Sequence, residues 1–313
     1  MNVFVVGGTG FIGRRVVQRL VRAGHGVTAL ARTPDRSAAL TRLGASATAG
    51  DLTMPETIRD AIADSDVIIN LATPSFLGRI GPRRLRALAH QKLIQTRNLL
   101  DAVAQVGDIP VILSEGILVL GASGEVWVDE SAPYRPRGFA RIGSLATDYA
   151  LRFAEEKHLS LIRMLPGGVY GAGSWFKDSV YRLMKRGWFR VIGEGRNVLS
   201  YVHVDDVAEA YRLAAERRPV GEAIAIVDDE PTKTLDFANF VATELGKPPV
   251  KSIPAWVATL VAGSVVVESL TTTCKVSNRK AKELLGWELT YPTCREGIPA
   301  TIAEIERPQS PLA

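Results

Sequence analysis

Seven residues near the start of the chain, Gly7-Gly8-Thr9-Gly10-Phe11-Ile12-Gly13, carry the most specific chemistry in the sequence. They stand between the apolar run Val3 to Val6 and a helical spacing of Phe11, Val16, Val17, Leu20 and Val21. Glycine permits a tight turn, lets backbone approach a pyrophosphate, and lets a helix pack closely on a strand. The unpaired N–H groups that open the helix then face the anion. In this strand–turn–helix setting the pattern reads as a dinucleotide-binding turn rather than a plain loop. The end of the next strand separates two cofactors, because an acid there accepts from a free ribose 2′-hydroxyl and a base grips a 2′-phosphate. This chain offers Leu30-Ala31-Arg32-Thr33, with no acid before Asp35. The planar fork of Arg32 suits a phosphate, so NADPH is the expected cofactor; a solvated loop arginine is the alternative.

The elements that must position these residues follow from the pattern of apolar runs. Val3 to Val6, Val27 to Ala31, Ser46 to Gly50, Val67 to Leu71, Val111 to Leu113 and Leu161 to Leu165 read as six strands. Helical patterns lie between them, the longest from about Arg83 to Val106. Apolar, β-branched strands alternating with helices predict an α/β fold, a Rossmann doubly wound parallel sheet covered on both faces. After about residue 166 the order loosens around Trp175-Phe176, Trp188-Phe189 and Pro248-Pro249-Val250. This predicts a nucleotide-binding domain over 1–165 and a smaller C-terminal substrate lobe over 166–313, with the chain crossing back to the sheet.

Several further runs bear on function together with the glycine turn: Gly50-Asp51-Leu52, Asn70-Leu71-Ala72, Tyr170-Gly171, Val202-His203-Val204-Asp205-Asp206-Val207-Ala208, and Ala281 to Trp287. With these, nearly the whole chain resembles the extended short-chain dehydrogenase/reductases, in their NAD-dependent epimerase/dehydratase-like branch. The resemblance implies that Gly7, Thr9, Gly10, Phe11, Ile12 and Gly13 hold the pyrophosphate and Arg32 the 2′-phosphate. It places Asp51 and Leu52 at the adenine, Leu71, Ala72 and Thr73 beside the ribose and nicotinamide, and Pro166 to Val169 where the lobes meet.

The same family uses a serine or threonine after the fifth strand and a Tyr-x-x-x-Lys on the next helix, whose four-residue spacing puts both side chains on one face. The chain departs from this. Aligning Leu120-Gly121 with the family's Tyr-Gly puts Gly116 in the serine place. A helix expected from near Phe139 puts Ala140 in the tyrosine place and Ser144 in the lysine place. Ser114 and Lys92, the latter where an asparagine is common, are the nearest candidates, and the catalytic residues stay open. One Tyr-x-x-x-Lys does occur, Tyr181 to Lys185, but it follows the sixth strand and reads as a chance match.

A chain without that pair is poorly equipped for epimerisation or dehydration, which need an acid and a base in turn. Hydride transfer to a ketone asks less, since orientation against the nicotinamide supplies much of the acceleration. A phenol peri or ortho to the carbonyl can donate the proton from the substrate itself. Family members that lack the triad and reduce polyketide ketones, angucyclinones among them, are the ones this chain is most similar to. The expectation is therefore an NADPH-dependent ketoreductase for an aromatic polyketide-type or similar hydrophobic small-molecule ketone, with Trp175, Phe176, Trp188 and Phe189 suited to an apolar pocket, core packing being the alternative for each. A non-catalytic NADP(H)-binding sensor or scaffold and a sugar epimerase with displaced residues are the competing readings.

Composition excludes other classes. The 313 residues are 46% hydrophobic and 23% charged, an ordinary globular balance. The net charge of +5 gathers in clusters such as Arg79, Arg83, Arg84 and Arg86, without the aromatic interleaving or the motifs of a nucleic-acid binder. Met1 to Val6 has no basic n-region and does not read as a signal peptide. The longest apolar stretch, Trp256 to Val267, is too short to span a bilayer. Cys274 and Cys294 lack metal-ligand spacing and read as reduced structural thiols, with no metal. A cytoplasmic monomer or homodimer is expected, with a tail at Arg307-Pro308-Gln309-Ser310-Pro311 that cannot build a core.

Overall fold

The computed structural model describes residues 1–74, 78–173 and 175–307; most of the expected tail lies outside them. The first half alternates strand and helix: β1 (Asn2–Val6), α1 (Phe11–Arg22), β2 (Gly26–Ala31), α2 (Pro34–Arg42), β3 (Ser46–Ala49), α3 (Arg59–Ala63), β4 (Val67–Asn70), α4 (Pro82–Val106) and β5 (Val111–Ser114). Then come β6 (Trp127–Val128), α5 (Ser144–Lys157), β7 (Leu161–Pro166), β8 (Gly168–Tyr170), α6 (Arg182–Lys185), β9 (Val191–Ile192), β10 (Val198–Leu199), β11 (Tyr201–His203) and α7 (Val204–Arg217). The chain ends with β12 (Ala223–Ile226), β13 (Thr232–Lys233), α8 (Thr234–Glu244), β14 (Ser252–Ile253), α9 (Ala255–Ala262), α10 (Ser264–Thr271), β15 (Lys275–Val276), α11 (Arg279–Leu285) and α12 (Cys294–Glu306).

A seven-stranded sheet in the order β12-β7-β5-β4-β1-β2-β3 forms the centre, and its recorded pairings are all parallel. The fold is the Rossmann-like α/β arrangement. Its apolar strands are covered on both faces, which is why they lack two-residue polarity. Ile112 packs with α1 and α7 on one face, while Val111 and Leu113 pack with α4 and α5 on the other. The chain runs from β1 outward through β2 and β3, then returns to β4 on the other side. The crevice at this reversal, beyond the carboxyl ends of β1 and β4, is where such sheets take ligands.

The seventh strand is one that the sequence reading did not separate. Ala223–Ile226 lies in the segment read as the second lobe and joins the sheet edge beside β7. The remaining strands form two-stranded pairs, β8 with β11, β10 with β13, β9 with β14 and β6 with β15. They carry a second core of Tyr170, Phe176, Tyr201, Phe237 and Ile298. Asp206 ties it to the C-terminal segment: its carboxylate accepts from the Thr290 and Tyr291 N–H groups at 2.7 and 3.1 Å, and its carbonyl accepts from the Trp287 indole at 3.0 Å. Among the described residues no helix is long and apolar enough to cross a membrane, and no group of His, Cys, Asp and Glu is placed to hold a metal ion. Both cysteines are buried and free.

Asp228, just beyond β12, is buried. Burial is the main cause that pushes its carboxyl up to about 8, and Asp229, Glu230 and Asp206 add to it against a Glu230 N–H. The folded chain then holds a proton that the unfolded chain releases near pH 4. Stability contributed by this group is full at low pH and is lost as pH rises toward 8. His203, held neutral by burial down to about 4, tilts the curve the other way only below about pH 6.5. Between pH 6.5 and 8 stability should therefore fall by about 1–2 kcal/mol, and Asp228→Asn should flatten that slope. Denaturant melts at four pH values decide it; an unchanged slope in the variant rejects the assignment.

Candidate functional site

The glycine turn is built by close approach. Gly7 has φ +85° and accepts the Gly10 N–H at 2.9 Å. A Cβ on Gly7 would lie 2.9 Å from the Ala72 nitrogen, and one on Gly13 only 2.1 Å from the Gly7 oxygen. Helix α1 begins at Phe11 with no side-chain cap and no acid in its first turn. Its opening N–H groups are thus left to an anion, which fits the pyrophosphate of a dinucleotide. Phe11 is approached by the loop after β8: Cβ atoms on Gly171 and Gly173 would stand 3.4 and 3.5 Å from its ring.

The other expected cofactor residues gather at the carboxyl ends of the same strands. Arg32 follows β2, half-exposed, with a guanidinium nitrogen 3.9 Å from the Asp51 carboxylate. Burial raises the Asp51 carboxyl, but the Thr53 N–H and hydroxyl, both at 2.8 Å, and Arg32 outweigh it and hold the group low. Leu52 is buried, and its carbonyl accepts from Asn98 of α4 at 2.8 Å. The Leu71 N–H bonds the Val6 carbonyl at 2.9 Å, so Leu71, Ala72 and Thr73 leave the sheet beside Gly7. Asn70, buried at the end of β4, accepts the Ala72 N–H at 3.1 Å and shapes that exit. Pro166 ends β7 near Gly116, whose Cβ would meet only the Pro166 carbonyl at 3.8 Å. The Val169 carbonyl accepts from the Trp175 indole at 2.7 Å.

At the expected proton-transfer positions the structure differs from the sequence reading. The helix expected from near Phe139 begins later: Gly138–Ile142 is a 3₁₀ turn and α5 starts at Ser144. Gly138, at φ +50°, is pressed against Ser269 of α10, whose hydroxyl accepts the Phe139 N–H at 2.8 Å, and this clamp delays the helix. Ala140 therefore sits in the turn. The Ser144 hydroxyl is spent on the Arg141 carbonyl at 3.0 Å. Strand alternation gives Ser114 the face of Ile112, toward the buried Tyr211 hydroxyl of α7 and away from α4 and α5. Tyr181 and Lys185 both bond the same Glu306 oxygen at 2.7 Å, a surface arrangement remote from the strand ends.

The four-aromatic pocket is corrected as well. Phe176 is fully buried and Phe189 packs against the same second core. Trp188 is 67% exposed and lies beside the Arg186 guanidinium. Core packing claims the phenylalanines and solvent the second tryptophan, which leaves Trp175 at the site.

Sequence reasoning missed Glu115 and Arg163 on the α4/α5 face, beside its candidate Lys92. Glu115 leaves β5 on the side of Leu113 and receives Arg163 of β7 in a two-pronged pair, at 2.7 and 2.9 Å. The Arg163 guanidinium also lies over the Tyr134 ring, and burial pushes the Tyr134 hydroxyl up to about 12. Lys92 of α4, itself buried, donates to the Ala72 carbonyl. Burial pushes its ammonium down to about 8 against the attraction of Glu115. The signal was available: Arg163 is a charge inside the apolar strand Leu-Ile-Arg-Met-Leu-Pro.

The family model for the NAD dependent epimerase/dehydratase family matches residues 3–226. The chain belongs to this family. A 3-diazoavenalumate denitrifying reductase from Streptomyces is 28% identical over 95% of this chain and 99% of its own length. A 4-hydroxy-2-methyl-3-oxo-4-farnesyl-3,4-dihydroquinoline-1-oxide ketoreductase from Stigmatella aurantiaca is 29% identical over 81% of this chain and 76% of its own. Among solved structures, human epimerase family protein SDR39U1 with NADPH superposes with a TM-score of 0.79 at 23% identity, covering 96% of this chain and 99% of that one; it bears on the fold alone.

The turn geometry predicts two opposite outcomes. Gly13→Ala must displace backbone and should cost roughly 1–3 kcal/mol and weaken nucleotide binding. Gly116→Ser enters open space and should stay within about 0.5 kcal/mol of the parent. Thermal melts of both test this, and a tolerated Gly13→Ala would overturn the account of the turn.

Proposed function

We propose that the chain is an NADPH-dependent ketoreductase for an aromatic polyketide-type or similarly hydrophobic ketone, with the proton supplied by substrate or water. The observation that carries this reading is the pairing of a built nucleotide turn with Ala140 in the 3₁₀ turn and Ser144 at the start of α5. Neither side chain there can protonate an alkoxide and hold a cation beside it. The residues that would hold the cofactor are Gly7 to Gly13 at the pyrophosphate, Arg32 at the 2′-phosphate, Asp51 and Leu52 at the adenine, and Leu71 to Thr73 with Pro166 and Val169 around the nicotinamide. NADPH supplies the hydride. The chain's own part is to hold ring and carbonyl face to face and exclude water, where orientation alone lowers the barrier by several kcal/mol.

The names of the relatives support reduction as the reaction type: one is a ketoreductase of a farnesyl dihydroquinoline-1-oxide and another a denitrifying reductase of 3-diazoavenalumate. An angucyclinone of the kind made in simocyclinone biosynthesis is the particular ketone to which the sequence resemblance points. Its phenol beside the carbonyl supplies the missing acid.

Arg32 sets cofactor choice. A charged contact to the 2′-phosphate contributes roughly 1.5–3 kcal/mol, so Arg32→Ala should weaken NADPH about 10- to 150-fold and leave NADH unchanged. Fluorescence titration measures both, and equal affinities in the parent protein would remove NADPH selectivity from the proposal.

Substrate assistance is tested by comparing an aromatic ketone bearing a peri or ortho phenol with its O-methyl ether. Methylation removes the internal donor at small change in shape, so kcat should fall sharply while binding survives. A raised KM at unchanged kcat would mean steric exclusion instead. Equal turnover of the two compounds refutes substrate assistance. Normal NADPH binding without turnover of any ketone would favour a non-catalytic sensor or scaffold.

A further inference from the structure

We infer that Lys92 is the positioning residue of the nicotinamide end, supplying from α4 the fixed cation that the start of α5 does not provide. The inference rests on the nucleotide-site reading and on no particular substrate. Lys92 lies on the buried face of α4 with Leu88, Gln95, Thr96 and Leu99. One turn earlier, Leu88 shares a buried cluster with Ile142 of the 3₁₀ turn that carries Ala140, so Lys92 stands on the helix face turned to that position. Its ammonium donates to the Ala72 carbonyl, in the segment that leaves β4 against Gly7. An ammonium is costly to bury and persists only where charge and hydrogen bonds compensate it. Here the compensation is directed: Ala72 takes a proton donor, and Glu115, already paired with Arg163, offsets the charge from β5. The lysine thus pins Leu71 to Thr73 and places a positive charge next to the crevice that takes a polyanion.

The charged state gives a readout that a merely structural lysine would not. The groups around it are Glu115 of β5, Arg163 of β7, Tyr134, and Asp148 of α5, which acts on Tyr134 and Arg163. Tyr134, pushed up to about 12, stays neutral through the range used. Lys92 is an ammonium below about pH 8 and a neutral amine above it. Attraction for the cofactor and the charge-assisted hold on Ala72 are present below that pH and fade above it, displaced upward once the anion is bound.

NADPH dissociation constants are measured by fluorescence from pH 7 to 9.5 for the parent, Lys92→Arg and Lys92→Met, with melts recorded alongside. The parent should lose roughly tenfold in affinity across the range, the worth of about one charged contact. Lys92→Arg, charged throughout, should bind with little pH dependence. Lys92→Met should bind weakly at every pH. A pH-independent parent, or a folded Lys92→Met that matches it, overturns the inference. Should Lys92→Met fail to fold, the contrast between the parent and Lys92→Arg decides alone. Absence of NADPH binding by the parent at every pH would instead defeat the nucleotide-site reading beneath it.

Discussion

The contact between Gly13 and the Gly7 carbonyl constrains more of this structure than any other. Helix α1 can lie on the sheet only because no side chain intervenes at a point where a Cβ would sit 2.1 Å from an oxygen. That approach aims the helix start at the crevice and brings Gly7 against Ala72. It also sets α1 against α7, where Arg15 meets Asp205 and Glu304. The phosphate turn, the exit from β4 and the link to the C-terminal helix are consequences of one missing methyl group. A helix dipole and unpaired N–H groups act strongly only within the first turn, so half an ångström of retreat would weaken the anion site.

The charged group on the other face answers a different need. A buried pair such as Glu115 and Arg163 gains little net stability, because desolvation consumes most of the attraction. Its two-pronged geometry ties β7 to the residue that follows β5, where the Glu115 N–H still bonds the Met164 carbonyl at 2.9 Å. Lys92 approaches the same region from α4. Apolar residues would fill this space at lower cost, so the cations and the carboxylate serve position and field more than stability.

Much of the fold was legible in the sequence. Val3 to Val6 is an unbroken apolar run, and Val27 to Ala31 and Val67 to Leu71 are each broken by a single polar residue, Thr28 and Asn70, which is how strands covered on both faces read. The shape of the glycine turn was legible because it follows from local geometry. Ala223–Ile226 escaped because strand order is a long-range property: the run is clear, but its neighbour β7 is decided by a crossover through α7. The start of α5 escaped because the clamp between Gly138 and Ser269 joins residues far apart in sequence. Phe176 and Trp188 look alike on paper, yet packing buries one and leaves the other in water.

These features bear on how a reductase would work with Ala140 and Ser144 standing in the family's tyrosine and lysine places, as the proposed function has it. The alkoxide formed by hydride transfer needs a proton and, until it arrives, a favourable field. An internal phenol meets the first need with no group from the protein, since its hydrogen bond to the carbonyl exists before the reaction starts. The second is met by oriented charge that costs no reorganisation at the moment of transfer. Lys92 is suited to that: held on Ala72, it cannot swing out to solvent, and its charge is offset without being cancelled. A tyrosine in the place of Ala140 would compete for the same carbonyl oxygen and crowd a flat aromatic ketone. On the proposed reading, the small side chain of Ala140 would leave room for a substrate that carries its own acid.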